Sequence, residues 1–393
     1  MWPYPSPTDP IIVAARRTPI GRAGGGLKAL TVDQLLAPVL RSLLEETALN
    51  PEAIEDVIVG NAVGPGGNPA RLALLTAGLP VTLPGLTVDR QCGSGLAAIN
   101  LAARLVQAGA GEIYLAGGAE SVSTAPWRVE KPRSLYELPQ FSHRARFAPE
   151  ALGDPDMGPA AEAIAQTFNI SRDRQDAYAL RSHQKAVRAQ RSGAFAAEIV
   201  PAPLSPTTQV EVDECPRPTL TAKRLGRLPP AFDAQGTITI GNACPLNDGA
   251  AAIIIMSRRR FEQGRYGLGL WFVDAATAGV NPQIPGLGPV AATRALLKRY
   301  PQLTLDQIHR VEFNEAFAAQ VLACIDQLSL DPARLNVDGG AIALGHPYGA
   351  SGAILVVRLF SALARRVVPA GTMGLATIGV GGGLGISTLV ARL

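Results

Sequence analysis

Cys92 lies in the segment Gln91-Cys92-Gly93-Ser94-Gly95-Leu96, between a predicted strand and a long apolar helix. A thiol beside a helix N-terminus is near the positive end of the helix dipole and near unpaired backbone N–H groups, which favour its thiolate. The glycines keep side-chain bulk away from the sulfur. The segment therefore makes Cys92 a candidate nucleophile, although a lone cysteine before a helix is also often a packing residue.

His346 is a candidate base, in the segment Gly345-His346-Pro347, where small residues flank the imidazole and a proline fixes the chain just beyond it. The chain has four histidines, and the other three, His143, His183 and His309, lie in segments that are polar or predicted to be helical or extended. A Cys–His pair is a common way to form a thiolate near neutral pH. The pair requires two distant segments to meet in the fold.

Asn314 and Gly381 could each stabilise negative charge on an oxygen atom. Asn314 follows a predicted strand that ends at Phe313, and its amide could hold a water or donate to an oxyanion. It could equally cap a helix, since asparagine is a good N-cap. The run Gly381-Gly382-Gly383-Leu384-Gly385 lets the backbone approach another group closely, either in a tight turn or to present an N–H to an oxyanion.

Composition argues against several classes of protein. The chain has 393 residues, a net charge of +4 and 17% charged residues, and its basic runs lack interleaved aromatics, so we expect no nucleic-acid binding. Four cysteines without CxxC or Cys/His spacing predict free thiols, a reducing cytoplasmic location and no metal site. We expect no membrane span, because no uninterrupted apolar run reaches about 18 residues. Residues 1–5 show no signal-peptide pattern.

Strands and helices alternate in the first third of the chain, which predicts an α/β layer fold. Predicted strands are Ile11–Ala14, Leu86–Arg90 and Glu112–Ala116, a short helix runs into a strand over Ala53–Val59, and predicted helices are Val32–Ala48, Asn68–Leu79 and Ala97–Ala108. These elements would place Cys92 between a strand and a helix.

From about Ala119 to Gly241 the pattern changes, and a segment this long predicts an inserted subdomain rather than a loop. It contains two predicted helices, Pro159–Phe168 and Ser171–Arg191, the second with Ser171 as N-cap. The last third then repeats the order of the first. Its predicted elements are the strands Leu270–Ala275, His309–Phe313 and Leu375–Val380 and the helices Pro289–Lys298 and Ile354–Leu363. We infer a distant internal duplication.

Six segments together resemble motifs of the thiolase family, in the family's order and over almost the whole chain. They are Arg17-Thr18-Pro19-Ile20-Gly21-Arg22, Gln91-Cys92-Gly93-Ser94-Gly95, Ala116-Gly117-Gly118-Ala119-Glu120-Ser121, Gly241-Asn242-Ala243-Cys244-Pro245-Leu246-Asn247-Asp248-Gly249-Ala250, Asn314-Glu315-Ala316-Phe317 and Gly340-Ala341-Ile342-Ala343-Leu344-Gly345-His346-Pro347. The resemblance implies a duplicated α/β core of five layers, αβαβα, with an inserted loop domain. The implied parts are residues 1–118 with 242–268, the coenzyme A-binding loop domain 119–241, and residues 269–393.

The resemblance also implies an acetyl-CoA C-acyltransferase that makes or cleaves acetoacetyl-CoA or a longer 3-oxoacyl-CoA, as in fatty acid metabolism. Cys92 would take the acyl group and His346 would accept its proton. Asn314, through a water, would join His346 in one oxyanion hole, and the backbone N–H groups of Cys92 and Gly381 would form a second. The chemistry would be ping-pong, because a thiolate both accepts and releases an acyl group easily.

Five further residues would bind the coenzyme A thioester, which is a substrate rather than a permanently bound cofactor. Met157 and Phe317 would form apolar walls, and Ala243 and Cys244 would lie along the pantetheine path. Arg217 would meet the phosphates, although a solvated basic loop has the same appearance. The family habit implies a homodimer or homotetramer.

The largest departure from the family's pattern lies near the C-terminus. The family carries a second cysteine in a Thr-x-Cys-x-Gly-Gly-Gly setting, where it moves the proton at the α-carbon of acetyl-CoA, and here Gly379 occupies that position. A positioned acid or base typically contributes 10²–10⁴-fold, so we expect slow or altered carbon–carbon chemistry. Two alternatives stay open: an acyltransferase or thioesterase-like variant without carbon–carbon chemistry, and a non-catalytic coenzyme A-binding subunit.

Overall fold

The computed structural model describes residues 6–142, 144–264 and 266–393. His143 and residues 1–5 lie outside the described residues. The strands are β1 (Pro10–Arg17), β2 (Gly21–Arg22), β3 (Asp56–Gly60), β4 (Gly85–Val88), β5 (Ile113–Ser121), β6 (Arg128–Glu130), β7 (Gln140–Ser142), β8 (Ala202–Ser205), β9 (Thr208–Val210), β10 (Asn247–Ser257), β11 (Leu270–Gly279), β12 (Ile308–Phe313), β13 (Met373–Val380) and β14 (Leu384–Arg392).

The helices of the described residues are α1 (Val32–Thr47), α2 (Pro69–Thr76), α3 (Ser94–Gln107), α4 (Met157–Thr167), α5 (Arg172–Arg191), α6 (Ala222–Leu225), α7 (Arg258–Gly264), α8 (Gly288–Leu297), α9 (Ala318–Leu328), α10 (Ala341–Leu344) and α11 (Tyr348–Phe360). Short 3₁₀ helices span Pro51–Ala53, Glu150–Leu152, Pro285–Leu287 and Leu305–Gln307, and a π-helical turn, Ser361–Arg365, extends α11. The elements predicted from the sequence are present, and several are longer than predicted.

Ten strands of the described chain form one sheet, in the order β12-β13-β14-β11-β1-β10-β5-β3-β4, with β2 paired to β10. The run β3-β5-β10-β1 matches the run β12-β13-β14-β11: the first pair in each is parallel and the next two pairs are antiparallel. The two runs are joined by only two residue pairs, Ile11 with Trp271 and Ile12 with Leu270. The strand pairing therefore confirms the predicted duplication.

Three hydrophobic clusters show how the layers stack. The middle cluster joins α3 and α11 to strands of both runs, one outer cluster joins α1 and α2 to the first run, and the other joins α8 and α9 to the second. In β10, Ile253 and Ile255 belong to the middle cluster and Ile254 and Met256 to an outer one. Alternate side chains thus face opposite layers, which gives the expected order helix, sheet, helix, sheet, helix.

Glycines let α3 and α11 approach closely in the middle layer. A β-carbon on Gly95 would lie 2.5 Å from the carbonyl oxygen of Gly349, and one on Gly352 would lie 2.6 Å from the backbone nitrogen of Leu96. A larger residue at Gly95 or Gly352 would push the helices apart. The close packing brings the two helix N-termini to one place in the core.

The inserted segment lies between β5 and β10, which are antiparallel neighbours in the sheet. Their pairing extends from Asp248 with Ser121 to Met256 with Ile113, so the chain leaves the sheet and returns to it at the same end. It contains the hairpins β6/β7 and β8/β9 and the helices α4, α5 and α6, and the Ser171 side chain caps α5 as predicted. The division of the chain at residues 118, 241 and 268 stays a prediction.

One helix reaches the length of a membrane span, which no apolar run was expected to do. The stretch Tyr348–Arg365 is long and apolar enough to cross a membrane by length and composition, but 89% of it is buried inside the protein. It forms α11 and the π-helical turn of the middle layer. It therefore has the character of a core helix.

Candidate active site

A cavity of about 700 Å³ lies where both halves of the core meet the insertion. Its lining includes seven of the nine predicted site residues: Cys92, Met157, Ala243, Cys244, Phe317, His346 and Gly381. Cys92 and His346, which are far apart in the sequence, therefore face one space. The other two predicted residues, Asn314 and Arg217, line neighbouring cavities.

Cys92 lies on a tight turn between β4 and α3, just before the helix N-cap Gly93. Gln91 has a left-handed φ of 49°, which is unusual for a residue with a side chain. Ser94 closes the turn, since its hydroxyl donates to the Gln91 carbonyl at 2.6 Å and accepts from the Arg90 N–H at 2.8 Å. Backbone strain held in this way is a common feature of functional sites.

The thiol of Cys92 is protonated in the free protein. Burial raises the pKa of Cys92 to about 12, and the nearby Glu120 carboxylate acts in the same direction. The backbone N–H groups of Cys92 and Gly381 donate toward the sulfur and oppose this shift. The expectation that the helix N-terminus favours the thiolate is therefore wrong for the free protein, because loss of hydration outweighs the local dipoles.

His346 is buried at the start of α11, with 3% of its surface exposed. Its backbone N–H donates to Asn247 Oδ1 at 2.8 Å, and its Nδ1 lies 2.6 Å from the Ser351 hydroxyl. With Nδ1 engaged by Ser351, Nε2 is the ring nitrogen left to exchange a proton. Burial lowers the pKa of His346 to about 4, so the imidazole is neutral at pH 7 and can accept a proton.

Asn314 does not line the large cavity. It is buried at the end of β12 and lines a small cavity of about 20 Å³ together with Gly345 and Ser351. This volume holds about one water, and the Asn314 Nδ2 has no hydrogen-bond partner among the described residues. The alternative that Asn314 caps a helix is wrong, because α9 starts at Ala318 with Phe317 as its N-cap.

Arg217 lies at a second, polar cavity of about 310 Å³, which shares Ala243 with the large one. Arg22 and His183 also line this cavity, and the Arg217 backbone N–H donates to His183 Nδ1 at 3.2 Å. The two cavities adjoin at Ala243, and the charged side chains that line the outer one are Arg22, Glu214 and Arg217. Arg217 is therefore separated from the other predicted residues but adjoins their cavity.

Gly379 lines the large cavity on the face of β13 that meets α8 and α9. A β-carbon there would lie 3.2 Å from Gln320 Nε2 and 3.4 Å from the Pro289 ring. Because the closer atom ends a flexible side chain, a small side chain fits at Gly379 with a slight shift of Gln320. The glycine supplies no group that can carry a proton.

Four site residues were missed by the sequence analysis. Ser351 and Tyr348 follow the motif that ends at Pro347 and were given no role, and a serine five residues after the histidine is a weak signal. Glu120 was noted only as part of a motif, yet its carboxylate accepts from the backbone N–H groups of Ala62 at 2.9 Å and Gly349 at 3.0 Å. Gln320 faces Gly379 from α9, a helix that the sequence analysis did not predict.

The arrangement suits acyl transfer through a thioester on the protein. A thiol, a neutral imidazole and backbone donors face one cavity, so the imidazole can take the thiol proton during attack on a carbonyl. The donors can then stabilise the oxygen that becomes negative.

Comparisons with known proteins agree with this chemistry. The family model "Thiolase, N-terminal domain" matches residues 10–259, and "Thiolase, C-terminal domain" matches residues 270–392. A protein of Staphylococcus epidermidis strain RP62A named "Putative acetyl-CoA C-acetyltransferase VraB" is 47% identical over 387 residues, which are 98% of each chain. Its namesake in Staphylococcus aureus strain MRSA252 is 45% identical over 384 residues, 97% of this chain and 99% of that one.

A solved structure is also similar to this chain over almost its whole length. The crystal structure of the Bacillus anthracis acetyl-CoA acetyltransferase superposes with a TM-score of 0.90 and 38% identity, covering 98% of this chain and 99% of that one. The matches span both halves of the core and the insertion. The chain belongs to the thiolase family of acyltransferases.

Proposed function

We propose that the protein is an acetyl-CoA C-acyltransferase that makes or cleaves acetoacetyl-CoA or a longer 3-oxoacyl-CoA through an acyl-Cys92 intermediate. One observation carries the proposal: Cys92 and His346 line the same cavity, into which the Gly381 backbone also faces. The relatives named as acetyl-CoA acetyltransferases support the acyl donor.

In the first half-reaction Cys92 attacks the carbonyl carbon of the donor while His346 takes the thiol proton. The neutral imidazole is ready for this step at pH 7, and the buried thiol needs it, because burial raises the pKa of Cys92 to about 12. Asn314, through one water, and His346 donate to the thioester oxygen, and the N–H groups of Cys92 and Gly381 donate to the oxygen of the acyl-enzyme.

The substrate's coenzyme A enters through the polar cavity. Met157 and Phe317 pack against its pantetheine arm, which passes Ala243 and Cys244, and Arg217 meets the phosphates. The apolar lining of the inner cavity, with Ile164 and Pro285 beyond Met157, leaves room for an acyl group longer than acetyl.

We propose further that Gly379 slows the carbon–carbon step while leaving acylation of Cys92 intact. The test is intact-mass analysis after addition of acetyl-CoA, followed by assay of acetoacetyl-CoA thiolysis. We expect an acetyl adduct in both the wild type and Gly379→Cys, and faster thiolysis in Gly379→Cys by at least about tenfold. Equal thiolysis rates would contradict a role for this position.

The alternative of an acyltransferase or thioesterase-like enzyme without carbon–carbon chemistry is favoured by the same glycine. An adduct that forms and is released to water or another acceptor, with no acetoacetyl-CoA made or consumed, would support it. A non-catalytic coenzyme A-binding subunit predicts no adduct at all. Slow alkylation of Cys92 at neutral pH would not distinguish these cases, because the buried thiol is protonated in each.

We propose a cytoplasmic homodimer or homotetramer. Apolar side chains are exposed on helix α2, on the edge strand β4 and between them, namely Leu72, Leu86 and Val81. Others are exposed on and just before the β6/β7 hairpin, namely Trp127, Leu135, Tyr136, Leu138 and Phe141. A monomer rarely exposes such patches, which often mark contacts between subunits. Light scattering coupled to size-exclusion chromatography measures the oligomeric state, and a monomer at micromolar concentration would contradict the proposed oligomer.

A further inference from the structure

The carbon–carbon step needs a group that exchanges a proton with the α-carbon of the acetyl unit, and Gly379 cannot be that group. Among the described residues, five side chains with a dissociable proton line the cavity: Cys92, Asp156, Cys244, His346 and Tyr348. Cys92 holds the acyl group and His346 serves Cys92. The remaining three differ in where they lie.

Asp156 lies at the solvent edge of the cavity. It precedes α4, its side chain is 75% exposed, and its carboxylate pairs with Arg144 at 2.7 Å. A hydrated carboxylate already paired with a guanidinium is a poor choice for moving a proton in the buried part of the cavity. Asp156 is therefore set aside.

Cys244 lines the cavity near Cys92, but on the side where the apolar cavity adjoins the polar one. Its neighbour Ala243 lines both the polar and the apolar cavity, and its backbone N–H is bound to the Ala316 carbonyl at 2.9 Å. This is the path of the pantetheine arm, where a thiol meets the middle of the substrate.

Tyr348 lies beside the reacting groups. Its ring packs edge-on against the His346 ring, with the centroids 5.3 Å apart, and its largest charge interaction is with Cys92. Its φ of 22° is strained for a residue with a side chain, and it is held between Pro347 and Gly349 at the start of α11. The Gly349 N–H is anchored by the Glu120 carboxylate at 3.0 Å, which keeps the turn in place.

The Tyr348 hydroxyl has a proton to give and no partner to hold it. No hydrogen bond to this hydroxyl is found among the described residues, so it is free to meet a substrate in the cavity. Burial, followed by the nearness of Cys92, Cys244 and Glu120, raises the pKa of the phenol, so the hydroxyl keeps its proton at neutral pH.

We propose that Tyr348 is a further catalytic residue, whose phenol hydroxyl exchanges the proton at the α-carbon of the acetyl unit, the task for which Gly379 offers no group. This inference rests on the proposed function and names the acid of its carbon–carbon step.

In the cleavage direction the Cys92 thiolate, its proton taken by His346, adds to the 3-oxo carbon. The bond between C2 and C3 then breaks, the acyl group stays on Cys92, and the electron pair moves to C2. Tyr348 gives its proton to C2, which releases acetyl-CoA and leaves a phenolate. Through water, the phenolate then regains a proton and the His346 imidazolium releases one. His346 takes the thiol proton of the incoming coenzyme A, whose sulfur attacks the acyl group, and returns that proton to Cys92 as it leaves. Synthesis is the reverse.

The test compares Tyr348→Phe with the wild type and with Tyr266→Phe, a matched loss of a phenol hydroxyl outside the cavity. Two readouts separate the steps: the acetyl adduct on Cys92 by intact mass, and deuterium wash-in at the methyl group of acetyl-CoA in D₂O. We expect Tyr348→Phe to form the adduct within about threefold of the wild-type rate and to lose wash-in and acetoacetyl-CoA thiolysis by on the order of 10²-fold. Tyr266→Phe should match the wild type.

A cysteine at position 379 should restore the missing proton donor, so Tyr348→Phe combined with Gly379→Cys is expected to recover wash-in. Full wash-in by Tyr348→Phe would overturn the assignment, and so would a loss of wash-in that occurs only in Cys244→Ala. A wild type that forms the adduct but shows neither wash-in nor thiolysis would also overturn it. A wild type that forms no adduct would overturn the proposed function itself, and this inference with it.

Discussion

Cys92 lies two residues before the first residue of α3, and His346 lies two residues before the first residue of α11. These helices hold equivalent places in the two halves of the core. Each turn also contains a residue with a side chain at positive φ, Gln91 in the first and Tyr348 in the second. The duplicated scaffold thus presents one group from each half, from matching positions, to a single cavity.

The two turns differ in how they hold their reactive group. Cys92 is partly exposed to the cavity and is met by the Gly381 N–H from the other half. His346 is buried and is held through Ser351 and Asn247. A nucleophile needs access to the substrate, whereas its base needs a fixed orientation and a neutral ring.

The largest expected effect comes from removing the group on the first turn. Cys92→Ala should abolish the acetyl adduct and lower turnover by at least about 10³-fold, because no other thiol takes its place. Intact-mass analysis checks this, with Cys324→Ala as control, since that thiol donates to the Gly286 carbonyl inside the core. An adduct that persists in Cys92→Ala would assign the acyl group elsewhere.

Removing the His346 imidazole from the second turn should reduce activity by a somewhat smaller factor. His346→Ala is expected to slow acylation by on the order of 10²–10⁴-fold, because the buried thiol then has no base. The rate of the variant should rise about tenfold per pH unit toward the Cys92 pKa of about 12, since only the thiolate fraction reacts. Rapid-quench measurement of the adduct checks this, and an unaltered rate would remove His346 from the chemistry.

The packing of the two turns can be broken without touching either reactive group. Gly95→Ala places a methyl group against the Gly349 carbonyl, a backbone atom that cannot move alone, so we expect a loss of about 1–3 kcal/mol in the free energy of unfolding. Gly267→Ala is the matched control, because its β-carbon would meet nothing within 4 Å. Denaturant unfolding measures both, and equal stabilities would contradict close contact between α3 and α11.

Loss of the imidazole's hydroxyl partner should have a smaller effect. Ser351→Ala leaves the ring in place but frees Nδ1, so acylation should slow by roughly tenfold as the ring loses its fixed tautomer. We expect the fall in kcat with little change in KM, because Ser351 lies behind the imidazole rather than along the substrate path. A change confined to KM would argue that Ser351 acts on binding instead.

The smallest expected effect is that of pH on acylation of the wild type. Burial lowers the pKa of His346 to about 4, so the ring is neutral above that value and protonated below it. Acylation should therefore be nearly constant from about pH 5.5 to 8 and should fall as the pH drops through about 4. A midpoint near the ordinary histidine value of about 6.5 would show that the imidazole is hydrated.

Much of the fold could be predicted because alternating strands and helices carry strong local patterns. The strand β12 and the capped helix α5 were predicted close to their observed positions. Helix α9 was not predicted, since its start lies in a motif interpreted as a possible cap at Asn314. The state of the Cys92 thiol was predicted wrongly, because local dipoles are visible in the sequence and burial is not.

The order of elements, the duplication and the residue types that could do chemistry can be derived from the sequence, because they depend on local pattern and composition. The packed fold is needed to see that Cys92 and His346 share a cavity, that Ser351 holds the imidazole, and that the Tyr348 ring packs against the His346 ring. Cys92 and His346 are far apart in the chain and meet only through the packing of α3 against α11. Hydration, which sets the protonation of a buried thiol and imidazole, exists only once that packing has excluded water.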